Sequence, residues 1–361
     1  MAKNLKKFAQ HTDYEAYTGT TYLRPNVSLC LDVKDVHYNP VPPLCLTFEA
    51  IEDGTFSFSM NAVQYSLDEG STWTTLSAGA SSPTIAAGRK ISWKAELVPS
   101  SSSTYGIGTF SSTGRFNVIG NPLSLLYGEN FKDVDNLSGK SYAFHSLFAN
   151  CVKCIDASNM KLTALVVERY CYYGMFSGCT SLIAGPALDA ATAYTQYFQG
   201  YYFDRMFDSC TSLETLPSLS SNATFPYMYT FYGCTSLVHA SGQTINPTLI
   251  QCMFAGCTSL QTGPVLNGSF QNGAPGQLSG GAGLYSGCSS LSQITFYGTR
   301  LGSGLWCVEE MCTRVNTSGG WVDGVASTGT FIKKAGVTIS YNGSSSCGVN
   351  NIPCNWTIVE Q

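Results

Sequence analysis

An eight-residue phrase recurs through the middle of this chain, and its recurrence limits the folds open to it. It reads Met175-Phe176-Ser177-Gly178-Cys179-Thr180-Ser181-Leu182 and returns as Met206-Phe207-Asp208-Ser209-Cys210-Thr211-Ser212-Leu213. Two more copies are Thr230-Phe231-Tyr232-Gly233-Cys234-Thr235-Ser236-Leu237 and Met253-Phe254-Ala255-Gly256-Cys257-Thr258-Ser259-Leu260. Weaker copies flank them at Leu147-Phe148-Ala149-Asn150-Cys151 and Leu284-Tyr285-Ser286-Gly287-Cys288-Ser289-Ser290-Leu291. The six phrase cysteines are 28, 31, 24, 23 and 31 residues apart. So short a unit cannot enclose its own apolar face and must cover it with the next unit, which is the signature of a solenoid.

Within a unit, the Ser-Leu after the cysteine opens an extended piece with alternate Leu or Ile residues, as in Ser212-Leu213-Glu214-Thr215-Leu216-Pro217. The proline ends that short strand, since it cannot donate to a ladder. Phe144, Tyr172, Phe203, Tyr227 and Ile250 stand three residues before each phrase, on what reads as a short helical turn opposite the strand. A strand on one face and a helical turn on the other is leucine-rich-repeat geometry. The repeat core is then Cys151, Phe176, Cys179, Leu182, Phe207, Cys210, Leu213, Phe231, Cys234, Leu237, Phe254, Cys257, Leu260, Cys288 and Leu291.

Fifteen cysteines would fit a disulfide framework in a small secreted protein. The odd count, the lack of a signal peptide and the repeat-locked placement argue otherwise, and Cys179, Cys210, Cys234 and Cys257 are expected to form a ladder of buried free thiols acting as small apolar side chains. Cys151-Val152-Lys153-Cys154 is a lone C-x-x-C without a second pair at zinc spacing.

Ahead of the repeats the chain changes character twice. Within residues 1–43, residues 1–24 read as polar and partly helical, then come two short strands over Asn26-Val27-Ser28-Leu29-Cys30-Leu31-Asp32-Val33 and Val36-His37-Tyr38, ending in the stiff linker Asn39-Pro40-Val41-Pro42-Pro43. Too small for a core of its own, this segment is expected to dock on a partner, through Phe8, Tyr14, Tyr17, Val36 and Tyr38. Residues 44–122 alternate with period two over Thr55-Phe56-Ser57-Phe58-Ser59, Ala62-Val63-Gln64-Tyr65 and Lys90-Ile91-Ser92-Trp93-Lys94, which predicts a small Ig-like β-sandwich. Inside it, Ser66-Leu67-Asp68-Glu69-Gly70-Ser71-Thr72-Trp73 matches the Asp-box pattern. As a single copy it is a turn device: Asp68 bonds amides across a hairpin and Gly70 takes positive φ. The repeats are expected over 123–300 and a C-terminal cap over 301–361. The expected fold class is mainly β with short helices: docking segment, small sandwich, leucine-rich-repeat solenoid and cap.

The phrase M-F-x-G-C-T-S-L, with a following L-x-x-x-P-x-L, resembles the BspA-like leucine-rich repeats of Bacteroidales surface proteins and their phages. The front end, from Lys7-Phe8 to Val36-His37-Tyr38-Asn39-Pro40, is similar to the leading segments of virion proteins in crAss-like and related gut phages. The resemblance implies a virion structural protein, a head fibre or capsid decoration made in the host cytoplasm and displayed at the virion surface. Its partners would be capsid or other virion proteins bound through the N-terminus. A tail-associated fibre, or a bacterial cell-surface adhesin with the same repeats, is the alternative. Capsid decorations that match a local three-fold axis imply a homotrimer, whose multivalency would offset weak single-site binding.

Chemistry is sparse. Of the four histidines none lies in a nucleophile or metal pattern, and no P-loop, G-x-S-x-G or H-E-x-x-H is present. The expectation is no enzyme, no metal and no cofactor. Net charge is −4 and no basic run is longer than Lys6-Lys7, so no nucleic acid is expected. Residues 8–13 are polar where a signal peptide would be apolar, and no run reaches the ~18 apolar residues of a membrane span, so neither export nor membrane insertion is expected. The loop tyrosines Tyr194, Tyr197, Tyr201 and Tyr202, with Phe198, are the candidates for binding a host-surface or mucin glycan.

Overall fold

The computed structural model describes residues 14–16, 38–40, 44–100, 106–189, 191, 193–194, 200–219, 227–246, 250–270, 281–301, 320–341, 345–348 and 351–361. The chain divides into two units, Met1–Leu44 and Cys45–Gln361. In the first, β1 (Tyr14–Ala16) pairs antiparallel with β2 (Tyr38–Pro40), Tyr14 opposite Pro40. This departs from the sequence reading twice: Tyr14 lies in a strand where a partly helical stretch is expected, and Asn39-Pro40 is paired rather than linker. Pro40 is tolerated because it sits in a two-stranded ribbon, where every strand is an edge. Phe8, Tyr17 and Val36 lie outside the described residues.

The second unit is mainly β, and its described residues hold one short helix, α1 (Ser124–Tyr127), followed by a 3-10 turn over Gly128–Asp133. It begins with β3 (Leu46–Ala50), β4 (Phe56–Phe58), β5 (Val63–Ser66), β6 (Thr74–Leu76), β7 (Lys90–Lys94), β8 (Phe110–Ser112) and β9 (Phe116–Ile119). Strands β9, β3, β7, β5 and β6 lie side by side in that order, all antiparallel, while β4 and β8 pair separately. Rings from both sheets meet at Phe48, which lies 5.2 Å from Phe56, 5.6 Å from Trp93, 4.8 Å from Phe110 and 4.9 Å from Phe116. The period-two alternation puts these rings on the inner faces.

No break separates this part from the repeats. Phe48 also packs 5.8 Å from Phe148 of the first phrase. β10 (Cys154–Asp156) extends the six-stranded sheet by pairing parallel with β9. One buried apolar cluster runs from Leu46 to Trp356. Beyond β10 the ladder continues through parallel bridges Asp156 to Ala184, Leu188 to Leu219, Thr215 to His239 and His239 to Thr262. β11 (Val166–Val167) and β12 (Ala193–Tyr194) form a separate parallel pair. The ladder then widens into five parallel strands: β13 (Thr244–Ile245), β14 (Thr262–Leu266), β15 (Gln293–Phe296), β16 (Thr330–Lys333) and β17 (Thr357–Glu360). β17 is the outer strand of that sheet, with Ile358 and Val359 exposed.

The face opposite the strands is not helical. In the second repeat Cys171, Tyr173, Met175, Ser177 and Cys179 each donate their N–H to the carbonyl three residues back. The residues between them, Tyr170, Tyr172, Gly174, Phe176 and Gly178, donate instead to Gly200, Tyr202, Asp204, Met206 and Asp208 of the next repeat. A helix would spend every interior N–H on itself. Here alternate N–H groups run along the stack, so both faces of each unit are hydrogen-bonded to the next. The conformation requires positive φ at every fourth residue, as at Tyr170 (56°), Gly174 (57°) and Gly178 (76°). That is the physical reason for the glycine in the phrase: a Cβ at Gly178 would also strike Asn150.

The segment expected to cap the stack adds further rungs. Tyr285 and Gly287 donate to the carbonyls of Trp321 and Asp323, and Gly324 takes φ 76° beside Gly287, so residues 320–325 form a seventh copy of the turn face. Whereas Cys179, Cys210, Cys234 and Cys257, the expected ladder, are free and buried, Cys347 and Cys354 form a disulfide. These two cysteines lie outside the phrase, in a loop beyond the ladder of thiols, so stacking does not hold them apart.

Candidate functional site

The phrase residues build three columns inside the stack. Phe148, Phe176, Phe207, Phe231, Phe254 and Tyr285 lie one above the other, with centroids 5.1, 5.7, 5.4, 5.6 and 5.8 Å apart and planes within 16° of parallel. Phe144, Tyr172, Phe203 and Tyr227 form a second ring column at 5.6 to 5.7 Å. Ile250 is buried after them. Leu182, Leu213, Leu237, Leu260 and Leu291 are wholly buried beneath the first column.

The thiols form the third column. Cys179, Cys210, Cys234, Cys257 and Cys288 are free and buried, and each donates from Sγ to the phrase phenylalanine carbonyl of the preceding repeat at 2.9 to 3.2 Å. Cys151, at the first copy, is also free and buried. Burial pushes these thiols up, Cys257 to about 12 and Cys234 and Cys288 well above the ordinary value. Such thiols are neither nucleophiles nor ready ligands. Among the described residues no group of three His, Cys, Asp or Glu is placed to hold a metal ion, and no helix is long and apolar enough to cross a membrane.

The loop aromatics separate. Tyr202 is wholly buried and its main-chain carbonyl accepts from Tyr172, so it cannot meet a ligand. This corrects its candidacy: adjacent residues of the turn face point to opposite sides, and Tyr202 points inward. Tyr197 and Phe198 lie outside the described residues, and of Tyr194 only the backbone, in β12, is described. Tyr201 is half-buried and stacks on Tyr170 at 5.1 Å and 5°, which in turn stacks on Tyr142 at 4.8 Å and 17°. Sequence reading missed Tyr142 and Tyr170. The signal was available, since both precede a phrase by the same offset as Tyr201.

Charge gathers beside this row. The Arg169 guanidinium lies 4.9 Å from the centre of the Tyr170 ring, and its side chain is exposed. Arg205 sits 4.7 Å over Tyr229 and pairs with the buried Asp208 carboxylate at 2.6 Å. Burial holds the Asp204 carboxyl well above the usual carboxylate range, although the Met228 amide donates to it at 3.3 Å. Met228, Tyr229, Cys252 and Ala255 make a small apolar cluster apart from the main core, with Tyr201 and Tyr232 packed on it.

In the first sheet the Asp-box forms the expected hairpin between β5 and β6. Asp68 accepts from the Thr72 amide at 2.8 Å and from the Ser66 and Thr72 hydroxyls at 2.7 Å, and Gly70 takes φ 93°. Those bonds, the Thr72 amide first, hold the exposed Asp68 carboxyl down at about 2. Trp73 is covered by the Lys94 ammonium, 4.3 Å from the ring centre. A groove of about 500 Å³ beside it is lined by Gln64, Thr75, Lys94, Glu96, Glu129 and Asn130, but Lys94 is already paired with Glu129.

The chain matches no protein-family model, no curated protein and no solved structure.

Proposed function

We propose that this chain is a virion structural protein of the head-fibre or capsid-decoration kind. Residues before Leu44 attach it to a capsid or other virion protein, and a BspA-like leucine-rich-repeat solenoid, preceded by a small Ig-like sandwich, is displayed for adhesion to a host-surface or mucin glycan. The working form is a homotrimer. The observation that carries the reading is the division of the chain at Leu44: a small unit whose described residues form only a two-stranded ribbon precedes a body that shares one continuous core. A two-stranded ribbon is marginal alone and gains by pairing with a partner.

Deletion of residues 1–41 tests it. The truncated body keeps the far-UV and near-UV circular dichroism of the full chain, yet is missing from purified particles that incorporate the full chain. Normal incorporation of the truncated chain overturns the anchor, and a strictly monomeric full chain in mass photometry overturns the trimer.

The Cys347 to Cys354 disulfide favours a second reading, a bacterial surface adhesin built on the same repeats, because disulfides persist where the surroundings are oxidising. Recovery of the chain on the surface of uninfected cells would select it.

A further inference from the structure

The turn face needs a left-handed residue at every fourth position, and most such positions hold glycine or a small side chain: Gly174, Gly178, Gly233, Gly256, Gly283 and Gly287. Five hold bulky side chains instead: Tyr142 at φ 62°, Tyr170 at 56°, Tyr201 at 48°, Arg205 at 55° and Tyr229 at 57°. A large side chain with positive φ is a strained choice, and such strain concentrates at functional sites. Stacking alone does not call for it. The phenylalanine column from Phe148 to Phe254 stacks equally well, and none of its members has positive φ. The strained residues are also neighbours: three make one row, and Tyr201 packs on the cluster that contains Tyr229.

The row's geometry says what it can recognise. Tyr142 and Tyr201 cover the two faces of Tyr170, Tyr173 meets that ring edge-on and Arg169 is hydrogen-bonded to its hydroxyl, so the row offers a ligand a line of hydroxyls with a guanidinium beside it rather than a ring face. Tyrosine rings stacked at 4.8 and 5.1 Å, one from each of three successive repeats, match a linear polymer of hydroxylated units better than a single compact ligand. The charge presented beside the row is positive. Arg169 is exposed beside Tyr170, whereas Glu168 is buried, accepting from the Gly139 and Arg169 amides, and Asp204 and Asp208 are buried too. A guanidinium forks onto a carboxylate.

We propose that Tyr142, Tyr170, Tyr201 and Arg169 form a binding strip for a linear acidic glycan, one carrying uronic-acid carboxylates, laid along the stack axis. This rests on the adhesion reading above and assigns it a site. Tyr142, Tyr170 and Tyr201 supply hydrogen bonds to sugar hydroxyls, and Arg169 holds a carboxylate.

Electrophoresis of the full chain through native gels containing polygalacturonate, dextran or no polymer tests the strip. The wild-type chain is retarded by polygalacturonate and not by dextran. Tyr170→Ala weakens retardation about tenfold or more, as loss of a central interface aromatic does. Arg169→Gln, at an exposed position and checked for an unchanged circular dichroism spectrum, abolishes the preference for the acidic polymer. Tyr170→Phe keeps the ring stack and removes the hydroxyl, so weakened binding there separates recognition from folding. Equal mobility of the wild type in all three gels, or unchanged retardation of Arg169→Gln and Tyr170→Phe, overturns the proposal. Incorporation of these variants into particles is scored separately: normal incorporation without polymer binding sinks the strip and leaves the virion reading standing, and the reverse pattern sinks the virion reading alone.

Discussion

Replacing Phe207 by leucine isolates what ring stacking contributes to the body. Phe207 is wholly buried and lies between Phe176 at 5.7 Å and Phe231 at 5.4 Å, with planes 4° and 6° from parallel. An apolar swap of similar volume costs under about 1.5 kcal/mol in a well-packed site. An aromatic pair adds about 0.5–1.5 kcal/mol beyond the area it buries, and two pairs are lost, hence about 1–3 kcal/mol more. The expected loss is therefore about 1–4.5 kcal/mol, read as a lowered urea midpoint at unchanged slope. Leu213→Met, also buried in the third repeat but outside the ring column, is the matched control and stays below about 1.5 kcal/mol. Pairing Phe207→Leu with Phe176→Leu closes a double-mutant cycle, with a coupling of about 0.5–1.5 kcal/mol. A Phe207→Leu loss no larger than that of Leu213→Met, with zero coupling, would refute the ring column as a source of stability.

Two further outcomes follow from the thiols and the Asp-box. Cys179, Cys210, Cys234 and Cys257 resist alkylation in the native chain and react after denaturation without reductant, while Cys347 and Cys354 react only after reduction; disulfide-linked peptides among the first four in mass spectrometry would exclude the buried ladder. Asp68 titrates lower folded (about 2) than unfolded (about 4), so its support of the hairpin is complete above the unfolded value and is lost as pH falls through the folded one. Asp68→Asn removes that part of the acid dependence, and identical acid unfolding curves for variant and wild type would show that the turn bonds do not matter.

Much of this body is legible in the sequence because its strongest signal is local and repeated. The spacing of the phrase sets the stacking period, and identical residues at identical offsets must meet their own copies in a stack. Phe207 therefore falls on Phe176 and Phe231, and Cys210 lies below the Phe176 carbonyl. Period-two alternation likewise picks out Phe56 and Trp93 as inner residues, and S-x-D-x-G-x-T-W gives the hairpin at Gly70. What the tertiary structure alone decides is where hydrogen bonds go between units. Spacing cannot distinguish a helical turn from one that sends every second N–H of residues 170–178 to the next repeat, because both place Tyr172 and Phe176 inward. That choice determines which positions are left-handed, and so why Tyr201 lies on the surface row while Tyr202 is buried. The seventh turn, at residues 320–325, has lost the phrase and is held by the hydrogen bonds of Tyr285 and Gly287. The join of β9 to β10 arises in the same way, between segments far apart in sequence whose open edges match.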